Sequence, residues 1–391
     1  MKNITNTLVL CGLISFTFFC GCSDKNSGSG GHQYKVHVGQ SGTLPELIPV
    51  SRKHSIGSLL ISGNLNGTDI KYIREMGALA ELDIQKASIM SGGVSYDNNY
   101  GENGFTKNNE IGYGMFSGTS LVKIKLPESV NAIRELAFGA CEDLCEITIP
   151  DRVKTIGEFA FSGCTSLKTV VLPKELAKID KGLFYDSAIE ELVIPSKVAE
   201  IVENSFSNCK MLLRLMVDNN PYYSIIDGGL VHNNTSKLIA YPNKFSKKVK
   251  IPDNIETIGA WCFYGCDNIE TITMSDNVKV IEEGAFWRCD LSEIVLSNEI
   301  TRIETQTFSC YGNSFKVLTV PEKVEYIAVG AITDFALEEF HCKAQIPPLW
   351  DAMDVYGPYR LDKCVLYVPQ GKKEAYSQID PWNCFKEVRE E

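Results

Sequence analysis

Histidine is scarce in this sequence. Five copies, at 32, 37, 54, 232 and 341, are scattered over 391 residues, which leaves little material for His-based acid–base or metal chemistry. Catalytic signatures are missing too: there is no H-E-x-x-H, G-x-S-x-G, Walker A or G-x-G-x-x-G stretch. No five like charges run together, and Asp+Glu (49) outnumber Lys+Arg (38), so the basic footprint of a nucleic-acid binder is absent. No apolar run reaches the roughly 18–20 residues that span a bilayer. No Cys-x-x-Cys pair exists for zinc or redox work. What remains is an ordinary folded composition, 44% hydrophobic and 22% charged, which excludes a mostly disordered chain and a polytopic membrane protein.

The N-terminus carries an address. Lys2 opens a short positive start, and positions 8–19 are almost wholly apolar. That is too short to cross a membrane and suits a secretory signal peptide over 1–21. Phe19-Cys20-Gly21-Cys22 follows and resembles a bacterial lipobox, although Phe19 replaces the usual Leu and Cys20 is unusual at its position. The resemblance implies cleavage after Gly21 and a lipid on Cys22. Ser23 stands where an Asp would imply inner-membrane retention, so the expected place is the outer membrane. The Gly/Ser-rich segment beyond it predicts a flexible tether over 22–44.

The main body repeats. Ile-x-x-x-x-Phe occurs as Ile111…Phe116, Ile133…Phe138, Ile156…Phe161, Ile179…Phe184 and Ile201…Phe206, then as Ile258…Phe263, Ile281…Phe286 and Ile303…Phe308. A ninth copy, Ile327…Ile332, swaps the aromatic. Successive aromatics lie 22 or 23 residues apart, except for one step of 57 between Phe206 and Phe263. A second template keeps the same phase: LVKIKLP at 121–127, LCEITIP at 144–150, LKTVVLP at 167–173, IEELVIP at 189–195, and later IETITMS at 269–275, LSEIVLS at 291–297 and FKVLTVP at 315–321. Positions one, four and six are apolar, and the β-branched content with a terminal Pro predicts short strands. Each repeat reads as a strand, a turn, a second short extended piece ending near the Ile, and a tight corner carrying the Phe. One such unit cannot bury its own face. Stacked units share a continuous core, so the period predicts a solenoid with the repeat aromatics inside.

The cysteines follow the period. Cys141, Cys164, Cys209, Cys266 and Cys289 sit three residues after the aromatic, and Cys310 two after. A thiol in phase with the repeat reads as a small buried residue. Eleven cysteines remain beyond Cys22, an odd number, so complete pairing is excluded. Cys141–Cys145 and Cys262–Cys266 are the closest pairs.

The phrases SVNAIRELAFGACEDL, RVKTIGEFAFSGCTSL and KVIEEGAFWRCD resemble the BspA-type leucine-rich repeat, over roughly 79–345. The resemblance implies a right-handed, β-rich leucine-rich-repeat solenoid with N- and C-terminal caps. It also implies a cell-surface lipoprotein or adhesin that acts by binding proteins or host surfaces. The ending LYVPQGKKEAYSQIDPWNCFKEV is similar to the family's closing cap, giving a C-terminal cap over 346–391. NPYYSIIDGGLVHNNTSKLIAYP resembles its hairpin-containing variant repeat, within about 212–248, and Asp227-Gly228-Gly229 is turn chemistry between β-rich runs. Asp186-Ser187-Ala188 resembles a short O-glycosylation acceptor. Ahead of the array, SLLISG at 58–63 reads as a strand. GTDIKYIREM at 67–76 reads as a helix capped by Thr68 with Ile70, Ile73 and Met76 on one stripe. These make 45–90 an N-terminal cap and first strand, followed by the solenoid over 91–345, which opens with a polar loop at 91–109.

Binding must then lie on the surface. In each strand, positions three and five should face outward. Position three predicts cross-strand pairs Lys123–Glu146 and Glu191–Arg214. Position five places Val171, Val193 and Met216 in an exposed apolar run on consecutive strands, a candidate binding face. A second candidate is the position after the repeat aromatic, where Tyr264 and Trp287 form an aromatic ridge one repeat apart. The turn acids Glu158, Asp180, Glu203 and Glu282 read as a solvated edge. The expectation is a non-enzymatic surface lipoprotein with no catalytic residue, metal or cofactor. Its partner is a host matrix or surface protein, or a glycan, and it touches the membrane only through its lipid. The alternative is a glycan-capture accessory or an enzyme of a polysaccharide-uptake system.

Overall fold

The computed structural model describes residues 33–309, 315–333, 337–351 and 360–391. The signal segment, Cys22 and Cys310 lie outside the described residues. The rest is a solenoid with two ladders of short parallel strands. The first ladder uses the strand template: Lys123–Lys125 pairs with Glu146–Thr148, Glu191–Ile194 with Arg214–Val217, and Lys248–Lys250 with Thr271–Thr273 and onward to Glu293–Val295. The second ladder joins the residues that end at each repeat Ile, such as Glu110–Ile111, Ala132–Ile133 and Thr155–Ile156. Every one of these pairings is parallel and one repeat apart, so each turn is held by its neighbours alone.

Between the ladders the chain rounds a corner that places the aromatic inside. Two residues of the corner adopt left-handed conformation, two before and two after the aromatic: Gly114 and Gly118 around Phe116, Leu136 and Ala140 around Phe138, Phe159 and Gly163 around Phe161. The corner amides then point at the next turn, as in Gly114 N to Glu135 O (3.0 Å) and Phe138 N to Ala160 O (2.9 Å). The rings form a column. Phe116, Phe138, Phe161 and Phe184 stack at 5.5–5.8 Å with planes within 12°, and all four are buried. Beside them runs a second column of thiols. Cys141 Sγ donates to Phe116 O (3.0 Å), Cys209 to Phe184 O (3.0 Å) and Cys289 to Phe263 O (2.8 Å). A small side chain with one weak donor fills this site and satisfies the carbonyl of the preceding turn. All ten described cysteines are free thiols, so neither Cys141–Cys145 nor Cys262–Cys266 is a disulfide.

The N-terminal cap starts earlier than its composition implied. Within the 22–44 segment, whose composition predicts a tether, Tyr34–Val38 is a strand paired with Ser58–Leu65, and Val38 and Leu44 are fully buried. Alternating apolar residues prevail over the Gly/Ser-rich stretch before them. Ser58–Leu65, Glu81–Ile89 and Lys123–Lys125 continue the same parallel sheet. The helix is Gly67–Arg74, and its cap is Asn66 rather than Thr68. Asn66 Oδ1 accepts from Thr68 N (3.0 Å), and Asp69 Oδ2 accepts from Asn66 N (2.9 Å), a reciprocal capping box. Asp69 is buried and also accepts from Leu44 N (2.9 Å), which fastens the first segment to the helix. The 91–109 stretch is packed rather than loose: Tyr96 is buried, and Arg74 pairs with Asp97 (3.0 Å) while donating to Met115 O (2.9 Å).

Halfway along, a hairpin interrupts the array. Tyr223–Ile226 and Gly229–His232 pair antiparallel across Asp227-Gly228, both at positive φ (46° and 86°), as a type I′ turn requires. Lys237–Ala240 then rejoins the second ladder beside Thr257–Ile258. At the other end Trp350, Tyr376, Trp382 and Phe385 pack over Phe340 and close the core. Trp382 is fully buried, and its Nε1 donates to Pro348 O (3.0 Å).

Candidate functional site

The strand face follows the period-two alternation. In Glu191–Ile194 the side chains of Leu192 and Ile194 are buried and Val193 is exposed. Parallel register sets Val193 opposite Met216, and the bridge Thr169–Glu191 sets Val171 in line with Val193. Val171 is 85% and Val193 45% exposed, while Met216 is half-buried. Val171 projects because the ladder lapses beside it: Glu146–Thr148 ends its own sheet, and Thr169 makes a single bridge. Both expected cross-strand ion pairs form, Lys123 with Glu146 (2.6 Å) and Glu191 with Arg214, and Lys168 pairs with Glu190 (2.9 Å). Such exposed pairs contribute about 0.2–1 kcal/mol each. Their effect here is to surround the apolar row with neutralised charge.

The ridge differs from expectation. Tyr264 and Trp287 do meet, with ring centroids 5.0 Å apart, but Tyr264 is only 4% exposed. Three rings cover it: Trp287, Trp261 edge-on at 5.8 Å, and Tyr185 stacked at 5.9 Å. The Tyr185 and Tyr264 hydroxyls lie 2.9 Å apart. They reach each other across the intervening turn because small Ser207 occupies the matching position there. Burial pushes the Tyr264 hydroxyl well above its ordinary pKa. Tyr264 is thus a buried support. The half-buried rings at the surface are Trp287 and Trp261.

Trp261 was not legible as a site residue. It occupies the left-handed position two before the aromatic (φ 59°), where Gly114, Gly182, Gly284 and Gly330 stand in other repeats. A bulky residue there costs roughly 1–2 kcal/mol. Its ring fills the space above Gly284, whose missing Cβ would fall 2.4 Å from it. Phe159 does the same above Gly182 (2.2 Å). The signal in the sequence is a bulky aromatic at a left-handed position that is glycine in four of the nine copies.

Trp261 also borders a seam. Elsewhere the amide of one repeat aromatic bonds the next turn, as in Phe161 N to Leu183 O (3.0 Å) and Phe263 N to Ala285 O (2.9 Å). At the hairpin, Tyr241 N takes Cys262 O (3.3 Å) in place of Phe206 N. Among the described residues Phe206 stacks on Phe184 alone, and Tyr241 continues the column onto Phe263 (5.4 Å). A cleft opens between them, lined by Asn204, Phe206, Tyr241 and Trp261. Asn204 Oδ1 is buried there without a hydrogen-bond partner.

Other expectations resolve simply. Ser187 is buried, with Oγ 3.6 Å from Cys209 Sγ, so it is not an accessible glycan acceptor on the folded chain. Glu158 and Asp180 do lie at the turn edge, and together with partial burial they raise the pKa of neighbouring Glu135, burial being the larger cause. Glu282 is not solvated alone: it accepts from Lys237 Nζ (2.6 Å) and Ala260 N (2.8 Å).

Residues 103–213 and 239–349 match the pattern of the BspA type leucine-rich repeat region, in six copies. The chain belongs to this family. The stretch between the two matched blocks is where the hairpin of this BspA-type array lies. A leucine-rich cell surface protein from Faecalibacterium prausnitzii has a similar structure, with a TM-score of 0.56 at 22% identity over 91% of this chain and 83% of that one. The pneumococcal vaccine antigen PcpA gives 0.50 at 20% identity, over 66% of this chain and 75% of that one. At such identities the likeness is one of fold, and function must be argued from the sites. No curated protein matches this chain.

Proposed function

We propose that this BspA-type array is a non-catalytic binding protein, tethered through a lipid on Cys22 at the outer membrane and displayed on the cell surface. Its strand face contacts a protein partner. The observation that carries this reading is the in-register row Val171, Val193 and Met216, apolar and solvent-facing, bordered by the pairs Lys168–Glu190 and Glu191–Arg214. An apolar centre inside a polar rim is the anatomy of a protein contact. The lipobox-like Phe19-Cys20-Gly21-Cys22 supports the anchor.

The test uses the full chain in mild detergent against an immobilised panel of extracellular-matrix and cell-surface proteins. Wild type retains at least one of them, and the double variant Val171→Glu/Val193→Glu loses it by tenfold or more at an unchanged thermal midpoint. Retention of every bound protein by the double variant sinks the strand face as the site.

A further inference from the structure

The aromatic surface at the hairpin points to a different ligand. Three features of the array coincide only there. The turn-to-turn bonding of the corner loses one rung, because Tyr241 takes the carbonyl that Phe206 N would reach, while Asn208 N still bonds Tyr264 O (3.0 Å). A tryptophan holds a backbone conformation that suits glycine (φ 59°) and keeps its ring at the surface. Asn204 lines the cleft, and its amide oxygen Oδ1 is buried with no donor. Phe159 shares the strained conformation, but it sits within continuous turns: Phe159 N bonds Lys181 O (3.0 Å) and Phe161 N bonds Leu183 O (3.0 Å).

The chemistry of these groups selects a ligand class. Trp261 and Trp287 lie 5.1 Å apart with planes inclined at 57°, supported from beneath by Tyr264 and Tyr185. Such rings offer flat, polarisable faces to C–H groups. The cleft holds about 50 Å³ of water-accessible space. This is room for a few water-sized groups and not for a whole ring. Asn204 Oδ1 requires a hydrogen-bond donor, which a purely apolar guest cannot supply. The nearby cations already have partners: Lys237 Nζ pairs with both carboxylate oxygens of Glu282 (2.8 and 2.6 Å), and Arg288 lies against the Trp287 ring (5.5 Å) and the Tyr264 hydroxyl (3.5 Å). A ring with apolar C–H faces, a projecting hydroxyl donor and no charge meets all of these conditions.

We infer that the seam is a subsite for a neutral pyranose unit of a glycan. The sugar ring lies on Trp261 and Trp287, and one hydroxyl or hydroxymethyl enters the cleft to donate to Asn204 Oδ1. This site is separate from the strand face and stands or falls independently of it.

The test titrates the full chain, in mild detergent, with a panel of neutral hexose and pentose oligosaccharides, using tryptophan fluorescence and calorimetry. Uronic-acid oligosaccharides of equal length provide the charged comparison. At least one neutral oligosaccharide binds, at least tenfold more tightly than its uronic counterpart. Trp261→Gly and Asn204→Gly each suit their left-handed backbone (φ 59° and 66°) and so keep the fold. Each weakens binding tenfold or more, whereas Phe159→Gly and Val171→Glu/Val193→Glu leave it unchanged. Absence of binding to every neutral oligosaccharide, preference for the uronic series, or undiminished binding in Trp261→Gly overturns the proposal. So does a protein from the panel above that binds at this seam in place of any sugar.

Discussion

Replacing Phe161 by alanine removes a ring from the middle of the aromatic column. Phe161 is fully buried, stacked 5.5 Å from Phe138 and 5.8 Å from Phe184 with planes within 11°. Deleting a buried phenyl costs about 3–5 kcal/mol where the site cannot collapse, and each ring pair carries about 0.5–1.5 kcal/mol beyond area. With two pairs lost between two rigid ladders, the expected loss is about 4–5 kcal/mol. Phe206 provides the internal comparison. It is half-buried, has among the described residues a ring neighbour on one side only at 6.4 Å, and borders the cleft. Phe206→Ala should cost about 2–3 kcal/mol, because one pair and a smaller buried area are lost. Urea unfolding followed by circular dichroism and by tryptophan fluorescence reads both. Every fully described tryptophan lies beyond the hairpin, so fluorescence lagging behind circular dichroism in Phe161→Ala would show the first half of the array yielding first. Equal losses for the two variants, or less than about 1 kcal/mol for Phe161→Ala, would refute the stacked-column reasoning.

Three further outcomes follow. Cys22→Ala should shift the protein from the membrane fraction to a soluble pool, and persistence in the membrane would reveal another anchor. Alkylation with peptide mapping should label exposed Cys384 in the native protein, while Cys141, Cys164, Cys209, Cys266 and Cys289 react only on unfolding; early labelling of that column would contradict its burial. Burial pushes the thiols of Cys209 and Cys364 up to about 12 and that of Cys342 up to about 11. The unfolded chain releases these protons near pH 9 and the folded chain retains them, so stability falls as pH rises above that point, by about 1 kcal/mol per thiol between pH 9 and 10. Urea midpoints at pH 8, 9 and 10 check this, and replacing these three cysteines by alanine should make the slope shallower without abolishing it, because burial also raises Cys141, Cys164, Cys262 and Cys266.

The period was legible because every turn meets the same demand: an apolar strand position, a repeat Ile and an interior ring. The apolar row at Val171 and Val193 was legible for the same reason, since alternation within a known strand decides which side chains face out. What escaped was set by departures from the period. Tyr264 is buried by Tyr185, 79 residues away, an approach created by the inserted hairpin and by a serine in the turn between. Trp261 reads in sequence as one more apolar residue. Its meaning comes from the backbone, which demands left-handed φ at that place in every turn. The helix cap fell on Asn66 because Asp69 reaches back to its amide, a tertiary choice between two adjacent polar residues. The first strand hid behind a Gly/Ser-rich stretch whose composition does not extend to Tyr34–Val38.

Hydroxyl-radical footprinting of the full chain, with and without a protein retained in the panel assay, tests the strand face most directly. Met216 oxidises readily, and Val171 and Val193 project into solvent. The strand-face account predicts that oxidation at these three positions falls severalfold in the complex, while Trp261 and Trp287 are modified at the same rate as in the free protein. Unchanged oxidation at Val171, Val193 and Met216 in a saturated complex would contradict it.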